Sequence, residues 1–265
     1  MNLPYTVVAD TDQVNWSDEL EALHEEFSRD HFIDVWTRRA LIEGLGDSVP
    51  REGTIADLGC STGYLLSDLR GRFPHVRLLG VDLVAAGLHK SHELVPNAEL
   101  FLADVCALPF ENRTIDAVVS ANLLEHVPDD RAALREIVRA LRPRGRAALV
   151  VPAGPGLYDY YDRFLGHERR YARGELAAKA REAGFEVVFD SHLGALLYPP
   201  FWLTKKRNRR HDPGDEDSRR RVGRDIDRTH GSRLGALACE AERWLMARGA
   251  RLPVGIRGYT VVRKP

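Results

Sequence analysis

The sequence is poor in cysteine: Cys60, Cys106 and Cys239 are widely separated, and no C-x-x-C pair occurs in 265 residues. That spacing offers neither a disulfide framework nor a zinc site, so no metal centre is indicated. Long apolar runs are missing too, and none approaches the ~20 residues that a membrane-spanning helix needs. Residues 1–30 carry acidic side chains throughout and no uninterrupted apolar segment, so no secretory leader is visible. The formal charge of −1 removes any global electrostatic case for nucleic acid as a partner. The expectation is a cytoplasmic chain with one substantial core, or a core with a cap, and no separate second domain.

What is present centres on Thr54–Leu66. Ile55, Ala56 and Leu58 read as a short buried strand, Gly59-Cys60-Ser61-Thr62-Gly63 as a turn, and Tyr64 to Leu69 as the start of a helix. A strand that runs through a glycine loop into a helix exposes unpaired N–H groups beside a positive helix end, which suits a nucleotide-like ligand or a carboxylate. A dinucleotide loop wants G-x-G-x-x-G. Counted from Gly59, its second and third glycine positions hold Ser61 and Tyr64, so that pattern fails. An acid two residues before the first glycine, Asp57, and a glycine four after it, Gly63, are what remain.

The residues that follow repeat strand and helix. Leu78 to Leu83 reads as a second strand ending in the carboxylate of Asp82, and the stretch from Ala98 to Phe110 as a third with Asp104 at its end. Ile115 to Ala121 is a fourth, followed by Asn122, Glu125 and His126. Leu141-Arg-Pro143-Arg-Gly145 turns into a fifth apolar strand that ends at Pro152. Five segments in this order over residues 54–152 resemble the motifs of the class I S-adenosylmethionine (SAM)-dependent methyltransferases of the small-molecule kind. Ser61 departs from the middle glycine of the first motif.

The resemblance implies a Rossmann-like α/β fold: a seven-stranded, mostly parallel sheet with helices on both faces and an antiparallel last strand. It implies SAM as cofactor, with S-adenosylhomocysteine as product. Asp57, Gly59, Cys60, Ser61 and Gly63 would form the loop side of that site. Asp82 would accept the ribose hydroxyls beside Leu83, Asp104 and the Val105 N–H would meet the adenine, and Asn122 would close the fourth strand. Arg39, or Arg38, would reach the methionine carboxylate.

Outside this core, residues 1–16 read as an arm. Glu19–Phe27 reads as a helix with Leu20, Leu23 and Phe27 on one face, and 31–45 as a second helix. Residues 1–50 would form a helical cover on a single domain spanning 1–265. The sixth strand, Phe185–Asp190, and the seventh, Ile256–Val262, are separated by an insertion over 194–253. It opens with an apolar stretch holding Phe201 and Trp202. A run dense in Lys and Arg follows from Lys205 to Arg228, interleaved with Asp212, Asp215, Glu216 and Asp217. Composition makes that run a solvated loop, with a substrate lid or an anionic membrane contact as other readings. Ser232–Gly249 is then a helix with Leu234, Leu237, Ala241, Trp244 and Leu245 on one face.

The connection 153–171 leaves the carboxyl edge of the fifth strand, where ligands bind in such sheets. It carries Tyr158, Tyr160, Tyr161, His167, Arg169, Arg170 and Tyr171, and long polar connections of this kind are commonly functional. It also resembles the D-x-x-L-G-H-x-R-R-Y stretch of a bacterial subgroup of these methyltransferases. Tyr158, Tyr161, Arg169, Arg170 and Tyr171 are the expected substrate contacts; arginines would suit an anionic acceptor and tyrosines a planar one. His167 or His126 is the expected general base. The acceptor would be an oxygen, nitrogen or carbon atom of a small metabolite. Rival readings are a SAM-fold protein that binds without turnover, an enzyme acting on a lipid-linked substrate, and an NAD-dependent oxidoreductase, which the glycine spacing disfavours.

Overall fold

All five residues of Thr54–Leu58 are buried, as a central strand covered on both faces requires. In a computed structural model, which describes residues 3–8, 29–209 and 231–265, this strand sits in the middle of one sheet. The elements in chain order begin with β1 (Thr6–Val7), α1 (Phe32–Leu45), β2 (Thr54–Leu58), α2 (Tyr64–Arg72), β3 (Arg77–Asp82), α3 (Ala85–Leu94) and β4 (Glu99–Leu102). They continue with β5 (Ile115–Ala121), α4 (Asp130–Ala140), β6 (Leu141–Pro152), α5 (Tyr160–Phe164), α6 (Glu175–Glu182), β7 (Glu186–Leu193), α7 (Tyr198–Asn208), α8 (Arg233–Met246) and β8 (Arg257–Arg263).

The strand order is β1-β4-β3-β2-β5-β6-β8-β7, parallel except for β8, which runs antiparallel to both β6 and β7. Outward growth from β2 to β4 and the return to β5 put a reversal of strand order between β2 and β5. The carboxyl ends of those two strands form the crevice where open α/β sheets bind ligands. One face of the sheet packs Trp36, Leu41, Leu45, Leu66, Leu88 and Cys239 against Ile55, Val119 and Val150. The other packs Leu134, Ile137, Tyr171 and Leu176 against Leu58, Val118 and Leu149. The alternation of Ile55 and Ala56 between these two cores is the period of two of a strand.

Three expectations change. The seven-stranded sheet has an eighth strand, because part of the N-terminal arm, Thr6–Val7, pairs parallel with Phe101 and Leu102 at the β4 edge. Two residues are too few to show a period. Lys205 does not belong to a solvated run: it lies on α7, is 4% exposed, and its Nζ is 2.6 Å from Asp159 Oδ1 and 3.1 Å from Asp162 Oδ2. The apolar stripe of α8 faces outward, while Gly235, Cys239 and Glu242 face the protein. Gly235 lets α8 approach α1, since a Cβ there would lie 2.7 Å from the Phe32 ring. Glu242 accepts the N–H groups of Gly194 and Leu196 at 2.8 and 2.7 Å and so fixes the turn between β7 and α7. The expected helix 19–27 and the acids Asp212, Asp215, Glu216 and Asp217 lie outside the described residues.

Candidate active site

The loop after β2 is built by backbone geometry. Gly59 has φ +75°, its N–H donates to Val81 O at 2.8 Å, and a Cβ there would meet Leu123 at 3.0 Å. A left-handed backbone pressed against a neighbour is a place for glycine. Ser61, which replaces the middle glycine of the motif, has φ +44° and takes the left-handed conformation itself. Its N–H donates to Asp82 Oδ2 at 2.8 Å, and the Val84 N–H donates to Oδ1 at 2.9 Å. These bonds aim the Asp82 carboxylate from the end of β3 toward the loop. Leu83 beside it is half-buried, and Gly63 caps α2.

Asp57 lies beneath the loop, 1% exposed, and neither carboxylate oxygen has a hydrogen-bond partner. Burial, and then the charge of Asp82, push its carboxyl well above the usual range. An unpaired buried carboxyl is costly and calls for an explanation. Asp104 Oδ1 accepts the Cys106 N–H at 2.8 Å, capping one turn of 3₁₀ helix in which Val105 is buried. Burial and Asp104 raise the Cys106 thiol to about 12, so this cysteine is not a nucleophile. Cys60 is buried within the loop. Asn122, at φ +51°, turns the chain at the end of β5 and donates its N–H to Val150 O.

From Leu123, which touches Gly59, the chain passes directly to Glu125 and His126. The Glu168 N–H donates to Glu125 O at 2.8 Å, and Arg169 donates to the carbonyls of Val127 and Pro128, so the 153–171 connection is sewn onto this segment. Glu125, His126 and His167 each bring a polar atom within 4.8 Å of the others, and the two imidazole rings meet edge to face with centroids 4.8 Å apart. Glu125 is fully buried, neither carboxyl oxygen has a hydrogen-bond partner, and burial raises it to about 8, so it is protonated at neutral pH.

His167 Nδ1 lies 2.9 Å from Asp162 Oδ1. Burial would raise Asp162, but His167, Lys205 and Arg170 outweigh it and hold the carboxyl below the usual range. Burial lowers His167, against the opposing pull of Asp162. A neutral imidazole beside an ionised carboxylate donates from Nδ1 and keeps its lone pair on Nε2.

The other expected site residues are spread around this pair. Arg170 is buried, its Nε 2.7 Å from Asp162 Oδ1 and a second nitrogen 3.1 Å from Ala153 O. Tyr171 is a core residue, its hydroxyl donating 2.6 Å to Asp130 and lying 3.1 Å from Leu124 O. Tyr158 donates to His167 O at 2.6 Å. Arg169 is taken up by the carbonyls above and by Asp130 at 3.3 Å. These four therefore hold the connection in shape, and the charges meant for an anionic acceptor are neutralised inside the protein. Tyr161 sits under Lys205, 4.9 Å from Nζ to the ring centroid; burial and then Asp34 raise its phenol. Arg39 pairs with Glu240 on α8, and Arg38 bonds Asp68 at 2.6 Å, which assigns both to other partners than a cofactor carboxylate.

Sequence reasoning missed Asp159, Asp162 and Lys205 as a unit, and it named Glu125 beside His126 without a site role of its own. Asp159 and Asp162 did carry a signal, because an acid at the N-cap and another three residues on form a capping box at the start of α5. Lys205 carried none.

A strand–loop–helix with Asp82 at the end of β3, Asp104 just beyond β4 and no pyrophosphate glycine pattern suits a nucleoside-bearing cofactor. A family profile described as a methyltransferase domain matches residues 56–149. The chain is 33% identical over 159 residues to an uncharacterised 37.1 kDa protein of a Streptomyces fradiae transposon, covering 53% of this chain and 45% of that protein. It is 32% identical over 123 residues to trans-aconitate 2-methyltransferase of Azoarcus sp., covering 46% and 47%. The chain thus spans about half the length of these relatives. Among solved structures, phosphoethanolamine N-methyltransferase 2 of Haemonchus contortus, bound to SAM, shares the fold at TM-score 0.64 and 16% identity, over 97% of this chain and 60% of that one. Residues 56–149 thus match a methyltransferase domain, and the chain shares its fold with a SAM-bound methyltransferase.

Proposed function

We propose that the protein transfers the methyl group of SAM to an oxygen or nitrogen of a small metabolite, with His167 as general base. The His167–Asp162 contact carries this reading. The cofactor site fits its ligand: the Gly59 and Ser61 turn leaves room for close backbone approach, Asp82 is preset for vicinal hydroxyls, and the unpaired Asp57 suits an ammonium group. SAM supplies an electrophilic methyl on a sulfonium, so the protein's task is to align the acceptor and exclude water. Bound SAM would supply the methyl group to the acceptor atom and keep the carbon–sulfur electron pair on its sulfur. The acceptor's proton passes to His167 Nε2. Asp162 steadies the imidazolium that forms, and Arg170 and Lys205 keep Asp162 ionised.

The internal pairing of Arg169, Arg170 and Lys205 favours an acceptor with a proton to lose over one recognised by its negative charge. Trans-aconitate and phosphoethanolamine, in the names of the compared proteins, are small molecules, which supports the substrate class. A cytoplasmic site of action fits this reading.

His167→Ala and Asp162→Asn should bind SAM with near parental affinity by calorimetry, while methyl-labelled product from a source-cell extract falls. General-base catalysis contributes typically 10²–10⁴-fold, which sets the expected loss for His167→Ala. Because Asp162 raises His167, Asp162→Asn should also move the acid limb of the pH profile downward. Full turnover in both variants, or loss of SAM binding in both, would refute the assignment.

A further inference from the structure

The outward face of α8 is unusual for its chemistry. An amphipathic helix normally turns its apolar stripe to the core. Here Leu234 is 80% exposed, Leu237 66% and Trp244 54%, with Leu245 beside them, while the face toward the protein is Gly235, Cys239 and Glu242. Of the thirteen large apolar side chains exposed among the described residues, eight lie between 194 and 254, including Trp202 and Leu203 on α7. Apolar exposure gathered on two helices of one stretch of the chain is what an interaction surface would use.

Its charge selects the partner. α7 has no acidic residue, and α8 has Glu240 and Glu242. Glu240 is bound by Arg39 and Arg243, and Glu242 is buried on backbone N–H groups. Lys206, Arg207, Arg233 and Arg248 are exposed and form no ion pair among the described residues. Each helix also repeats one device, an exposed tryptophan with a cation four residues later. Lys206 Nζ lies 4.8 Å from the Trp202 ring centroid, and Arg248 Cζ lies 3.6 Å from that of Trp244. Indole rings settle at the headgroup level of a bilayer, and long cationic side chains reach from apolar surface to lipid phosphate.

We propose that the exposed faces of α7 and α8 dock on an anionic lipid surface. A second copy of the chain fits less well, since a two-fold contact would set this basic rim against itself. The surface is coupled to the active site through α7, whose Trp202 faces solvent while Lys205 is buried on Asp159 and Asp162. Docking does not depend on the identity of the methyl acceptor.

The test is co-sedimentation of the full chain with vesicles of equimolar phosphatidylglycerol and phosphatidylcholine, against vesicles of phosphatidylcholine alone. Tryptophan emission is recorded in parallel, and SAM-induced thermal stabilisation checks the fold of each variant. The expected result is sedimentation with the anionic vesicles only, release by high salt, and a blue shift of emission. Trp202→Ala/Trp244→Ala should weaken this binding by about tenfold or more, from the loss of two buried indoles. Lys206→Gln/Arg248→Gln should reduce the salt dependence, and adding Arg207→Gln/Arg233→Gln should reduce it further. Protein that stays in the supernatant, equal binding to both vesicles, or a double tryptophan variant that binds as the parent does would overturn the proposal. So would sedimentation velocity showing a self-associated chain that the same variants dissociate.

Discussion

Replacing Lys205 tests the architecture most directly, because the sequence places it in a charged run and the fold places it in a buried cluster. Its side chain is 5% exposed and its ammonium group sits between Asp159 and Asp162, whose side chains are 0% exposed. Lys205→Ala leaves Asp162 with Arg170 and His167, and leaves Asp159 with Asn208 at 3.3 Å and its own helix cap. Removing one partner of a buried pair costs about 3–5 kcal/mol, because the remaining charge keeps its desolvation penalty. For a chain of this size that corresponds to roughly 6–20 °C in Tm. Lys205→Met, which restores apolar volume without charge, should recover little. Lys205→Met/Asp159→Asn should recover more, since it removes a carboxylate as well. The pH dependence has a definite sign. Asp162 is depressed in the folded state, so it contributes stability that is present above the unfolded value near ~4 and is lost as pH falls through the folded value. Without Lys205 the folded value rises toward the unfolded one, so the variant should lose less stability than the parent as pH falls below about 4. Urea unfolding followed by circular dichroism, at pH 7 and in steps from about pH 5 to about pH 2, measures both effects. A Lys205→Ala variant within about 0.5 kcal/mol of the parent would refute the buried cluster, because that is the range of an ordinary surface substitution.

Asp82→Ala should reduce SAM affinity by roughly tenfold to a hundredfold, from ~1.5–3 kcal/mol of charge-assisted bonding, and unchanged calorimetric binding would contradict the ribose assignment. An ammonium group bound to Asp57 would draw its raised carboxyl down, so SAM binding should release a proton and weaken as pH falls through the free-state value. Calorimetry in buffers of different ionisation enthalpy reads that proton, and Asp57→Asn should abolish it; a buffer-independent enthalpy in the parent would count against the contact. Gly59→Val sets a β-branched residue at φ +75° against Leu123, and should abolish the thermal shift produced by SAM. A full shift in that variant would place the cofactor elsewhere.

The cofactor half of the protein was legible because its information is contiguous. Ile55, Ala56 and Leu58, the turn at Gly59 and Gly63, and the apolar start of α2 lie within a dozen residues, and the acids Asp82 and Asp104 each end a strand of readable period. The acceptor half was legible as a place but not as an arrangement. Tyr171 and Arg170 have the composition of substrate contacts, yet their partners, Asp130 and Asp162, are fixed by how α4 and α5 pack. Glu125 looks like any acid after a strand until burial leaves its carboxyl without a partner.

The sequence by itself determined the alternation of strand and helix and the turn at Gly59, because local backbone preference and side-chain period are encoded by neighbouring residues. The antiparallel closing strand was implied by the family resemblance, since no local signal fixes the direction in which a strand pairs. Tertiary structure alone decided which arginines are neutralised, that Lys205 is buried rather than solvated, and that α8 turns its apolar stripe outward. Periodicity states which side of a helix is apolar, but whether that side meets the core depends on what the opposite side offers. In α8 the opposite side offers Gly235, which admits Phe32, and Glu242, which holds the backbone of Gly194 and Leu196 from 48 and 46 residues away.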